Sequence, residues 1–554
     1  MYILKLILVI VLSCKAMSGL KLNITSECAG SHVYFCTLAN LPTSYDDPLT
    51  IVNSSAPQLS ELIIRNSLVT WMPKQIFALA PNLRGFLMHE CGLIRIHVED
   101  FVSAKQLQKL MLQNNRLAEL PEKIFSAASG LQELHLANNQ IHLVHSKAFA
   151  TLVKLQFLDM HSNSLHDLPR SLFSDLINLE HLDLSDNNIE LINGETFAKN
   201  LKLQTLLLSN NKFSVFKSDA LEHLPHLHLL DLSYSEVHEL SLQSVDTLLV
   251  QSSTLSRCTI KQSVIKLRAN NNLLESLSIG DKLAVKELEL HSNMFESLED
   301  FVGMLNLQKL DVSKNKLKSL RTSHSPLYLP LPSLLNLNLA SNLLQNLSAD
   351  YFLLLPKLSH LDLAFNHLLH LDQSVFKPLL NLEKLYIEGN RLHRFDYEQL
   401  ARTHEHLKEL GLFSNDWEFP YMRAMISFLK EWGIYLPVRF NSNEATSESL
   451  QMAEHHAAKL SGGETGGGHH HYASTEMSHG RELSGIHPYW TTRDVLALIT
   501  LLFVLLILLL QLYHILQEEN CLAACRSRLG GGAGHAIVAG QNRPRRLAEE
   551  DSEV

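Results

Sequence analysis

A chain of 554 residues is long enough for several domains, but a count by length misleads where one repeated unit fills most of it. Its net charge of -10 is modest, and no basic stripe interleaved with aromatics occurs, which argues against a nucleic-acid partner. Thirty histidines leave two readings open, binding that changes between about pH 5 and 7 or a merely solvated surface.

In chain order, "MYILKLILVIVLSC" sets Lys5 before a short apolar run, and "AMSG" at Ala16 to Gly19 offers small residues for cleavage. Residues 1–18 are therefore expected to be a secretory signal peptide, the apolar run falling far below the ~20 residues of a spanning helix. Residues 19–58 read as an N-terminal cap, in which Cys28 and Cys36, eight apart in a secreted context, are expected to form a disulfide. The sequons at Asn23, Asn53 and Asn346 mark glycans, each of which would keep a partner off its patch of surface.

From Leu59 the pattern LxxLxLxxNxLxxL recurs, with first leucines at 59, 83, 107, 131, 155, 179, 203 and 227, a step of 24 residues seven times running. Later starts fall at 245, 264, 285, 307, 334, 358, 382 and 407, making sixteen repeats over 59–415. This is the pattern of leucine-rich repeats, an α/β solenoid, horseshoe in form, whose short parallel strands line a concave face. No repeat can bury its leucines alone, so neighbours must stack. Asn115, Asn139, Asn163, Asn187 and Asn211 form a ladder at the turn leaving each strand, where an amide can satisfy backbone groups shut off from water. Phe77, Phe101, Phe125, Phe149, Phe173 and Phe197 recur eighteen residues after their first leucines, as a packed spine. The uneven middle, with "RTSHSPLYLPLPS" at Arg321 to Ser333, either adjusts curvature or carries a protruding loop for a partner. Cys91 in the Asn slot of repeat 2 and Cys258 in repeat 9 lie seven strand spacings apart, roughly 34 Å, too far for a disulfide. Both are expected to be buried free thiols.

After "LKELGLFSN" the chain continues "DWEFPYMRAMISFLKEWG", a C-terminal cap over 416–440 without cysteine, in which Trp417, Phe419, Met425, Phe428, Leu429 and Trp432 are expected to cover the last leucines by burial alone. This Asn-Asp-Trp signature resembles the leucine-rich immune family of mosquitoes, whose secreted members recognise microbes or hold complement-like proteins. Those members carry a cysteine cluster and coiled coils after the repeats. This chain has neither, so a transmembrane branch or another insect adhesion receptor fits the resemblance better.

Residues 441–490, rich in Gly, Ser, Thr, Glu and His, read as a flexible stalk; His469, His470 and His471 are either a polar linker or a weak, compositional metal signal. Apolar residues 495–516 are enough to cross a bilayer at ~1.5 Å rise each, and Arg526, Arg528, Arg543, Arg545 and Arg546 beyond them mark the cytoplasmic side. The expected topology is single-pass, with the ectodomain outside the plasma membrane. The tail, 517–554, is shorter than the ~100 residues of a folded signalling domain. In it Cys521 and Cys525 are palmitoylation candidates or idle thiols. Ser552 and Val554 make a Ser-x-Val ending that resembles ligands of PDZ scaffolds.

The residue between the two strand leucines of each repeat gives the centre of the concave face: Ile63, Leu87, Met111, His135, Asp159 and Asp183 first, then a mostly acidic run to Tyr386 and Gly411. Ile63, Leu87 and Met111 form an apolar patch flanked by His89 and His161, and with His135 and Asp159 they are the candidate ligand-binding residues. The patch is either an interface with a protein ligand or a homophilic partner, or a surface under the N-terminal cap. No nucleophile motif, metal-ligand spacing or cofactor fingerprint is present, and polar residues are spread along ~75 Å of strands, so no enzyme, metal or cofactor is expected. The sequence reads as a cell-surface receptor or adhesion protein, with innate immune recognition of microbial or complement-like ligands as the alternative.

Overall fold

The computed structural model describes residues 59–439, apart from 74–75, 214, 217–220, 222–223 and 323–328, together with short strands at Lys21–Leu22, Tyr34–Ala39 and Thr50–Ile51. Each of the sixteen repeats contributes one strand to a single parallel sheet, from Leu59–Arg65 to Glu409–Gly411. The sheet is open: its first strand, Tyr34–Ala39, pairs with Leu59–Arg65, and at the far edge Glu409 forms a parallel bridge to Tyr435. Apart from one shift at Tyr34 and Phe35 in the first strand, pairing is in register, because every repeat offers its neighbour two buried apolar residues one position apart: Leu110, Leu134, Leu158, Leu182 and Leu206 sit side by side and fully buried.

The asparagine ladder forms as expected. Asn163 accepts from the Ile141 amide at 3.0 Å and donates to the Leu136 and Met160 carbonyls, each at 3.0 Å. The same bonding repeats at Asn115, Asn139, Asn187 and Asn211, all buried. Buried amides and carbonyls left unpaired would cost ~1–3 kcal/mol each, so the ladder ties every turn to the next. The residue before each slot is pushed into left-handed backbone, as at Asn138, Ser162 and Asp186, all with φ between 52° and 54°. Cys91 takes the slot in repeat 2, its thiol donating to the His89 carbonyl at 3.2 Å. The phenylalanine spine is likewise continuous from Phe77 to Phe197, with neighbouring rings 5.3 to 6.3 Å apart.

The uneven middle does not interrupt the sheet: Leu248, Leu267, Leu288 and Leu310 remain in register. Steps of 18 to 21 residues leave too little chain for the Phe-bearing return segment. A second, three-stranded parallel sheet of Glu239–Leu242, Arg257–Ile260 and Leu277–Ile279 takes its place. Cys258 lies in this sheet and Cys91 in the main core, both buried and unpaired, and burial pushes both thiols up to about 12. Within Arg321 to Ser333, residues 323–328 lie outside the described residues.

The C-terminal cap is one helix, Phe419–Glu431, opened by Pro420 in its first turn and followed at its end by Gly433 at φ 74°. Met425, Ile426 and Leu429 are the residues that seal the last repeat. Two of the expected covering aromatics do not: Phe419 is 61% exposed and Trp432 50% exposed. Phe419 begins the helix on its outward side, while Trp432 stacks on Phe428 from outside, with ring centroids 5.5 Å apart. Trp417, Tyr421, Tyr397 and Phe428 form a contiguous aromatic cluster, in which the Trp417 indole donates to the Leu412 carbonyl at 2.7 Å. The cysteine-free closure therefore rests on aliphatic burial and aromatic edge contacts. Among the described residues no helix is long and apolar enough to cross a membrane. The signal peptide, the side chains of Cys28 and Cys36, Asn23, Asn53, the stalk, the 495–516 segment, Cys521, Cys525, Ser552 and Val554 lie outside the described residues.

Candidate functional site

Strand pairing places the expected central residues in one row, since Ile63 pairs with Leu87, Leu87 with Met111, Met111 with His135, His135 with Asp159 and Asp159 with Asp183. Ile63, Leu87 and Met111 are half-buried, and Ile63 pairs with Thr37, so the strand Tyr34–Ala39 extends the sheet edgewise beside the patch. His89 pairs with Arg65 two positions further along its strand, at the rim of the patch. Asn346 is exposed in repeat 13, on the loop after its strand, where a glycan has room.

The polar candidates converge one strand further on. His161 Nδ1 lies 2.7 Å from Asp159 Oδ1 and 3.9 Å from Asp183 Oδ2, and His135 Nδ1 lies 3.7 Å from Asp159 Oδ2. Burial raises the pKa of Asp159, but the hydrogen bonds from His135 and His161 outweigh it and hold the carboxyl below its ordinary value. Lys109, 2.7 Å from Glu133, likewise holds that carboxylate low. The His135 ring packs tilted against Phe157 at 4.7 Å, Phe157 stacks on His181 at 4.3 Å, and burial keeps His181 below the usual imidazole value. Asp183 belongs to this group although the sequence reading did not include it. The signal was available, since it follows Asp159 in the same row.

The far end of the row holds a second constellation that sequence reasoning missed. Residues after the cap helix return to the sheet, where the Arg439 guanidinium lies 3.7 Å from the centre of the Tyr386 ring, 2.9 Å from Asp362 and paired with Glu388. Glu388 is 1% exposed, and its Oε2 has no hydrogen-bond partner. Gly411 makes this possible, because a Cβ there would overlap Glu388 Oε2 and crowd the Tyr386 ring. Burial raises the Glu388 carboxyl above its ordinary value against the opposing pull of Arg439. Beside this cluster a cleft of about 180 Å³ is lined by Lys309, Asp311, Asn338, His360, Asp362 and Tyr386.

The family model described as leucine rich repeat matches residues 105–165, 158–213 and 356–416. Comparison with curated proteins finds no match. Among solved structures, a leucine-rich repeat protein of Leptospira interrogans is similar with a TM-score of 0.52 at 22% identity, over 69% of this chain and 90% of that chain. Toll in its complex with Spätzle, from Drosophila, has a TM-score of 0.53 at 21% identity, over 66% of this chain and 54% of that chain. The mosquito LRIM1/APL1C complex gives 0.48 at 20% identity, over 77% and 72%. At these identities the likeness is one of fold. The chain carries leucine-rich repeats and folds as their solenoid of parallel strands, and no catalytic family is indicated.

Proposed function

We propose that this protein binds a protein ligand through the N-terminal part of its sheet face, as a single-pass receptor or adhesion molecule of the plasma membrane with the repeats outside the cell. The observation that carries the reading is the alignment of Ile63, Leu87 and Met111 across three paired strands. Three apolar side chains in register on an outward face form a contiguous strip, the kind of surface that marks an interface. The glycan at Asn346, in repeat 13, would lie ten repeats beyond Met111 in repeat 3 and leave the strip accessible. Segments 1–18 and 495–516 support secretion and anchoring, Arg-rich flanking sequence supports the orientation, and Ser552 and Val554 support a PDZ scaffold on the inner side. Membership of an insect, membrane-anchored branch rests on the cysteine-free Asn-Asp-Trp cap.

The test is Leu87→Glu with Met111→Glu in the full chain displayed on cells. Loss of partner capture with unchanged surface level supports the reading, and unchanged capture ends it. The same cells separate adhesion from immune recognition. Aggregation of expressing cells that the double substitution abolishes identifies an adhesion role, whereas abolished binding to microbes without aggregation identifies recognition. Toll, which shares this fold, is known in complex with the protein ligand Spätzle, and a protein ligand is proposed here by analogy.

A further inference from the structure

We propose that Asp159, His161 and Asp183 form a binding site for a divalent transition-metal ion of the zinc class on the sheet face of repeats 5 and 6, with His135 of repeat 4 as the fourth donor. One donor atom from each of the first three lies within 4.8 Å of the others. Donors around a tetrahedral ion at ~2.0–2.2 Å stand roughly 3.3 Å apart, so small side-chain rotations close the site without moving a strand.

The donors are held from behind. Asp159 Oδ1 accepts the His161 amide at 3.1 Å, and Asp183 Oδ1 accepts from the Ser185 amide at 2.9 Å and its hydroxyl at 2.6 Å. This anchoring leaves Asp183 Oδ2 turned toward His161 Nδ1 and Asp159 Oδ2 toward His135 Nδ1. The second nitrogen of His161, Nε2, lies 3.4 Å from the Asn138 side-chain amide. When a metal takes Nδ1 the ring proton moves to Nε2, and the Asn138 amide, turned over, supplies the carbonyl that accepts it. An outer acceptor of this kind fixes the tautomer of a metal-bound histidine.

An independent observation comes from His135. Its Nε2 is closed to solvent and has no hydrogen-bond partner, and the Glu133 carboxylate lies 3.7 Å away. With Nδ1 directed at Asp159, Nε2 is the unsatisfied end of the ring, and ligation through Nδ1 would let Nε2–H face Glu133. Two imidazoles with two carboxylates suit zinc, cobalt or nickel; calcium needs six to eight oxygens, which this cluster does not offer.

The experiment is titration of the purified full chain with Zn²⁺, followed by calorimetry and by the visible spectrum of Co²⁺ at the same site. Because His469, His470 and His471 would compete, all proteins carry alanine at those three positions. The expected result is one equivalent bound, weakened tenfold or more by His161→Ala and by Asp183→Asn, and unchanged by His142→Ala at an exposed position away from the row. Asp183→Asn keeps an acceptor for Ser185, so it serves if His161→Ala fails to fold. Absence of binding, or equal binding by folded Asp183→Asn, overturns the proposal. Both readouts are independent of any protein ligand, so the site stands or falls apart from the partner reading.

Discussion

The two ends of the sheet face share one register but differ in what fills it. At the N-terminal end the row runs Ile63, Leu87, Met111, three apolar side chains half-buried beside the cap strand. At the C-terminal end it runs Asp362, Tyr386, Gly411, and the chain's own Arg439 lies across it, stacked on the tyrosine and paired with Asp362 and Glu388. Parallel pairing fixes where side chains stand. Their chemistry decides whether that end presents a surface or is occupied by the chain itself. A glycine at the last position is what lets a carboxylate lie beneath the sheet face, and the buried carboxylate is what draws a guanidinium down onto it.

Gly411→Val should separate the two ends most sharply. Its side chain would need the space of Glu388 Oε2 and the Tyr386 ring, forcing the carboxylate and Arg439 from their seats. We expect a loss of about 3 kcal/mol, from overpacking together with a disturbed buried pair. Because repeats couple mainly to their neighbours, amide exchange should accelerate in repeats 14 to 16 and stay unchanged in repeats 1 to 6. Equal acceleration at both ends would show that the array unfolds as one unit. Arg439→Ala should act in the same place with a smaller effect, about 1–2 kcal/mol. Removing one partner of a buried pair costs more than that in full burial, but Arg439 is 35% exposed and water takes over part of its role. At the other end, Leu87→Glu should shift the melting temperature by less than Arg439→Ala does, because a half-buried strand position lets the carboxylate reach water.

Much of this comparison was legible in the sequence. The 24-residue step gave the strand register, the asparagine slots and the phenylalanine spine, because each is a local pattern repeated against itself. Arg439 was not legible, since its contacts reach back 51 and 77 residues to side chains that share no motif with it. A partial signal existed. Glu388 occupies the position just past the strand that is held by Ala340 and Ala364 in the two preceding repeats, and a charged residue where its immediate predecessors are alanine, one repeat before a glycine, implies that room was made for it. The metal candidate had the same kind of signal, as His161 stands in that position in repeat 5, where its neighbours have Ala137 and Ser185. The second sheet of the short repeats leaves no sequence signal, because the spine phenylalanines that mark ordinary return segments are absent there and its strands span only three or four residues.

The smallest effect concerns pH and would sharpen the contrast further. Ile63, Leu87 and Met111 carry no titratable group, whereas Glu388 is held above its ordinary carboxylate value because burial outweighs the attraction of Arg439. A group whose folded value is raised favours the fold while protonated. Its contribution is complete below the ordinary carboxylate range and is lost as the pH rises through the raised value. Stability of repeats 14 to 16 should therefore fall as the pH rises from about 4 toward neutral, by less than Arg439→Ala costs, because Arg439 recovers part of the loss as an ion pair. Glu388→Gln, neutral at every pH, should flatten this slope and leave exchange in repeats 1 to 3 untouched. Site-resolved exchange of both proteins across that range decides it. An identical slope in the variant would mean that the carboxylate is already ionised and fully matched by Arg439, which would make the C-terminal end a closed ion pair rather than a strained one.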